Sequence, residues 1–99
     1  MKLYISVDME GLAGITNWKD ETEDQVRFRK AMNEQVEWVL EGIAKSKRNK
    51  EITHIYIADS HGGGQNLSYD GLNEKDSRVW LISGSPRPQY MMPAMDDSF

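Results

Sequence analysis

The sequence predicts an α/β fold: a β-α-β unit with a mostly parallel sheet, incomplete as a 99-residue piece of a larger α/β domain. Three observations carry the prediction. Short apolar runs at residues 3–7 and 52–58 flank one long segment with helical periodicity. The second run is almost continuously apolar, as parallel strands covered on both faces tend to be. Three strands with a single substantial helix cannot cover both faces of such a sheet, so residues 1–99 read as an unfinished part of one domain.

The first strand is Leu3-Tyr4-Ile5-Ser6-Val7, rich in β-branched and aromatic residues. It runs straight into Asp8-Met9-Glu10-Gly11. On an extended segment residues two apart share a face, so Asp8 and Glu10 are expected side by side at the strand's carboxyl end. Two carboxylates that close stay ionised only when a cation or strong donors compensate them, which makes this pair a candidate metal site. The plainer alternative has Asp8 capping a turn and Glu10 facing water. Gly11-Leu12-Ala13-Gly14 follows as a loop and lacks the Gly-Lys-Ser/Thr of a phosphate loop. Residues 18–24 read as an irregular polar loop.

A helix is predicted over about residues 23–46, where Phe28, Met32, Val36, Val39, Leu40 and Ile43 form one apolar stripe. Glu21, Glu23 and Asp24 at its start and Lys45, Lys47 and Arg48 at its end suit the helix dipole. Met32 and Trp38 read as packing or surface residues. The second strand, residues 52–58, contains His54 at the end away from any strand-end site. It leads into Asp59-Ser60-His61-Gly62-Gly63-Gly64. In open α/β sheets the carboxyl edge is where ligands bind, so Asp8, Glu10 and His61 can converge in one crevice. Oxygen and imidazole donors together suit zinc or manganese better than calcium or magnesium. Taken alone, the glycine-rich stretch also fits a surface loop with an incidental histidine.

Residues 69–77 read as polar, with Asp70-Gly71 as a turn, and Val79-Trp80-Leu81-Ile82-Ser83 as a third strand. The methionine-rich tail, residues 89–99, fits either a helix under the sheet or an exposed patch awaiting a partner. A net charge of −4 with scattered basic residues argues against a nucleic-acid surface. The absence of cysteine removes disulfides and thiolate metal sites, leaving carboxylate, imidazole and water as ligands. No apolar run reaches the ~20 residues of a membrane span, and the strand begins at the first residues, so no membrane contact, no signal peptide and a cytoplasmic location are expected.

Taken together, three stretches resemble the D-aminopeptidase family of zinc peptidases. They are the opening Met1-Lys2-Leu3-Tyr4-Ile5-Ser6-Val7-Asp8-Met9-Glu10-Gly11, then Ala58-Asp59-Ser60-His61-Gly62 with Asn66-Leu67, then Leu81-Ile82-Ser83-Gly84 with Met91-Met92 and Met95-Asp96-Asp97-Ser98-Phe99. The resemblance implies that Asp8, Glu10 and His61 are ligands of a two-zinc (Zn2+) centre, with Asp8 the better bridging candidate. It implies an aminopeptidase releasing amino-terminal D-amino acids from short peptides, working as a cytoplasmic homo-oligomeric ring. It also implies that the remaining ligands and the catalytic histidine lie downstream of Phe99, so no catalytic residue falls within this chain and the 99 residues alone are expected to be inactive. Residues 45–51 form a somewhat longer connection than the family pattern, and Pro93-Ala94 departs from it. Two other readings remain at this point: a metal-dependent hydrolase of another substrate such as a phosphoester, and a non-enzymatic small α/β protein that binds a partner.

Overall fold

The computed structural model describes residues 1–14, 25–85 and 91–99, with Glu10 through its backbone alone. The expected polar loop at 18–24 and the acidic start of the long helix lie outside the described residues. The elements are β1 (Lys2–Val7), α1 (Gln25–Ala44), β2 (His54–Asp59), α2 (Tyr69–Lys75) and β3 (Val79–Ile82), with single 3-10 turns at Met9–Gly11 and Asn49–Glu51. The three strands form one sheet in the order β1-β2-β3, and both pairings are parallel. Lys2 lies opposite His54 and Val7 opposite Asp59, so β1 and β2 end together.

Alternation sorts the side chains onto two faces. Leu3, Ile5 and Val7 of β1, Ile55 and Ile57 of β2, and Val79 and Leu81 of β3 all join one core. On α1 the residues Phe28, Met32, Val36 and Leu40 recur every fourth position and are buried against it. Ile43 packs at its margin, whereas Val39 is 47% exposed, so the stripe is narrower than the periodicity suggested. Trp38 is a surface residue. The basic run after Ala44 is solvent-exposed, apart from half-buried Asn49.

The stretch read as a polar turn at 69–77 is instead the short helix α2. Ser68 caps it, its Oγ accepting from the Gly71 N–H at 3.4 Å, and Leu72 is fully buried beneath it. Asp70-Gly71 suggested a turn because glycine weakens helices; here the cap and one buried leucine outweigh that preference of about 1 kcal/mol. Lys75 pairs with Glu41 of α1, so the two helices lie together on the same face.

The other face carries Lys2, Tyr4 and Ser6 with His54, Tyr56 and Trp80. The described part of the tail, residues 91–99, forms no helix: it lies along this face of β1 as a series of turns, with Met91 and Met92 exposed. The Tyr4 hydroxyl donates to the Pro93 carbonyl at 2.6 Å and the Ser6 hydroxyl to the Met91 carbonyl at 2.5 Å. Phe99 meets the rings of Tyr4 and Tyr56 edge-on at 5.3 and 5.0 Å. Ala94 adopts a φ of 62°, a left-handed conformation that costs a non-glycine residue roughly 1–2 kcal/mol. Trp80 stays 56% exposed, so the tail covers the face only in part.

Arg78 fixes the entry to β3. Its guanidinium grips Asp76 through two bonds of 3.0 and 2.8 Å and donates to the Asn49 and Ile52 carbonyls at 3.1 and 3.2 Å. The hydrogen bond from Arg78 holds the Asp76 carboxyl below its usual range. A depressed carboxylate stabilises the fold fully above its unfolded value and loses that contribution as pH falls through the folded one. Arg78→Ala is therefore expected to cost about 2–3 kcal/mol at neutral pH, as loss of charged hydrogen bonds does. The difference from the parent protein should shrink below about pH 4. Urea titrations at pH 7 and pH 3 check this, and an equal difference at both would refute it.

Candidate metal centre

Asp8 follows β1 directly, still extended at φ −127° and ψ 141°, and precedes the 3-10 turn Met9–Gly11. Its side chain does not cap that turn. Met9 swings into the core at 3% exposure, and Leu12 N–H closes the turn on the Met9 carbonyl at 3.1 Å. The alternation invoked to place Asp8 and Glu10 on one face therefore stops at Asp8. Glu10 follows it within the turn, and its side chain lies outside the described residues.

His61 stands at the corresponding end of β2. The β1–β2 ladder extends one bond past the strands, from Ser60 N–H to the Val7 carbonyl at 2.9 Å. That extra bond brings His61 level with Asp8 across 53 residues of sequence. Nδ1 of His61 lies 2.9 Å from Oδ1 of Asp8. The side chains are 12% and 34% exposed respectively, so the contact is shielded but reachable. His54, at the opposite end of β2, stacks with Tyr56 and its Nδ1 meets the Thr53 hydroxyl at 2.8 Å.

A clasp that sequence reasoning missed holds the His61 loop. Asp59 is fully buried. One of its oxygens accepts from the N–H groups of Asn66 and Leu67 at 2.6 and 2.7 Å, the other from the Asn66 carboxamide at 3.0 Å. The same carboxamide nitrogen donates to the His61 carbonyl at 2.8 Å. Asn33 of α1 reaches the Asn66 carbonyl and takes the Ser68 N–H, at 3.2 and 2.8 Å. Gly64 turns with φ 70°, and its carbonyl accepts from Gly84 N–H at 2.7 Å, binding the loop to the end of β3. The signal for Asp59 was parity: Ile55, Ile57 and Asp59 share the core face of β2, where an aspartate needs dedicated donors.

The pair has the chemistry for zinc. With arms of 2.0–2.1 Å at a tetrahedral angle, an oxygen and a nitrogen ligand sit about 3.3 Å apart. Asp8 and His61 are within about 0.4 Å of that spacing. Among the described residues no third histidine, aspartate or glutamate joins them. Two hollows flank the pair: an apolar groove of ≈ 560 Å³ along the outer edge of β1, and a more polar cavity of ≈ 260 Å³ beside His61 and Gly62.

The family model described as D-aminopeptidase matches residues 1–99. A D-aminopeptidase of Bacillus subtilis (strain 168) is 32% identical over 105 residues, covering 100% of this chain and 35% of the relative. The solved structure of the Zn-dependent D-aminopeptidase DppA from Bacillus subtilis, a self-compartmentalizing protease, superposes with a TM-score of 0.77 at 33% identity. It too is covered over 35% of its length, so the chain spans about a third of these relatives. The parallel strands, the register that aligns Asp8 with His61 and the match over every residue lead to one assignment: the chain belongs to the D-aminopeptidase family.

Proposed function

We propose that the complete protein is a zinc-dependent aminopeptidase that releases amino-terminal D-amino acids from short peptides. Residues 1–99 supply the amino-terminal part of its single α/β domain and part of a two-zinc site. The observation that carries this reading is the 2.9 Å contact of Asp8 with His61 at the shared carboxyl edge of two parallel strands. Family membership and the zinc dependence of DppA support it.

Asp8, Glu10 and His61 would hold the metal, Asp8 as the bridging carboxylate. Bound zinc supplies Lewis acidity, polarising the scissile carbonyl and lowering the pKa of water. The chain's own part is to fix the donors: Val7 and Ser60 set the register, and Asp59 and Asn66 hold the loop that presents His61. Gly62 and Gly63 border the cavity with open space where a Cβ would stand, leaving a peptide room to approach. The acid-base groups and the remaining ligands belong to the part of the domain beyond these residues. DppA is self-compartmentalizing, and a homo-oligomeric ring is proposed here on that likeness. A cytoplasmic setting is part of the proposal; among the described residues no helix is long and apolar enough to cross a membrane.

The test uses the purified natural-length protein with D-alanyl and L-alanyl p-nitroanilides and with p-nitrophenyl phosphate. Turnover of the D-alanyl substrate alone, lost on chelation and restored by zinc, is the expected result. Phosphate release without amide hydrolysis would replace this reading with a phosphoester hydrolase.

A further inference from the structure

The cavity beside His61 has walls from three elements: Met9 of the turn after β1, Gln25 and Arg29 of α1, and His61, Gly62, Gly63 and Asn66 of the loop after β2. Arg29 is its permanently charged residue. The chain has 16 acidic against 12 basic side chains, yet Arg29 forms no ion pair among the described residues. Its neighbour Arg27, by contrast, lies over the Phe28 ring at 4.9 Å. Gln25 and Arg29 are both solvent-exposed residues at the described start of α1. The N–H groups of Gly62 and Gly63 have no acceptor among the described residues, and a Cβ on either glycine would meet nothing within 4 Å. Cation and spare donors both favour an anion.

We infer that this cavity receives the terminal carboxylate of a short peptide, with Arg29 as its ion partner. The inference rests on the aminopeptidase reading and adds the substrate's far end to it. The cavity lies directly beside His61, so a bond held at Asp8 and His61 and a carboxylate held at Arg29 belong to one short peptide.

The experiment compares D-alanyl-D-alanine with D-alanyl-D-alaninamide on the zinc-loaded natural-length protein and on its Arg29→Gln and Arg29→Lys variants. Arg29→Gln is expected to raise KM for the free acid about tenfold or more, the scale of a lost charge-assisted bond. The amide's KM, kcat for both substrates and zinc content by mass spectrometry should stay as in the parent. Arg29→Lys should recover part of the loss. Equal effects on acid and amide, or none, would make Arg29 a solvated surface cation and overturn the inference while leaving the peptidase intact. No turnover of either substrate by the parent would overturn both.

Discussion

Asp8→Ala in the complete protein is expected to abolish zinc loading and peptidase turnover together. Asp8 is the oxygen donor that the fold brings to His61, and no other described carboxylate joins that imidazole. Partners that only orient a ligand cost roughly 10–100-fold when removed, and a direct ligand should exceed that. His54→Ala is the internal control. His54 lies at the amino end of β2, five residues or about 16 Å from the strand's last residue at 3.3 Å per step. Its contacts are with Tyr56, Trp80 and Thr53. Zinc content by mass spectrometry after dialysis separates the two variants. An Asp8→Ala protein that kept its full zinc complement would remove Asp8 from the ligand set.

The second large effect concerns stability. Asp59→Ala should cost about 3–5 kcal/mol, since each buried group left unsatisfied costs roughly 1–3 kcal/mol and two backbone N–H groups and one carboxamide N–H would lose their acceptor. The cost arises in the loop that carries His61, so zinc affinity should fall along with the unfolding midpoint. Asp59→Asn keeps the volume and one accepting oxygen, and should fall between parent and alanine. Urea unfolding of the three proteins checks the order. A loss below about 1 kcal/mol for Asp59→Ala would show that water or a rearranged loop can satisfy those donors.

Much of the framework was legible because burial writes a period into sequence. Ile55 and Ile57 marked a strand, and Phe28, Met32, Val36 and Leu40 marked a helix, before any coordinates. The shared edge of Asp8 and His61 followed from parallel topology alone. What escaped were features set by single local bonds. The Ser68 cap and buried Leu72 turn a glycine-containing stretch into α2. Burial of Met9 bends the chain immediately after Asp8, ending the alternation used to pair it with Glu10. The tail's docking was hidden for a different reason: its attachment to β1 uses backbone carbonyls of Met91 and Pro93, which no side-chain pattern reveals. Asp59 was readable in principle, by counting its parity on β2. Its sequence neighbours Ser60 and His61 are only half-buried, while its own side chain points in.

The parallel register joining Lys2 to His54 has a consequence in time. β1 and β2 cannot pair until the chain between them exists, and Asp8 precedes His61 by 53 residues. At roughly 5–20 residues per second of synthesis, the first donor waits about 3–10 s for the second. During that interval β1 is an unpaired apolar strand on a nascent chain, the kind of segment chaperones hold. The proposed centre would thus be assembled late by construction: Asp8 and His61 cannot meet until the glycine-rich loop has left the ribosome and the second strand has docked.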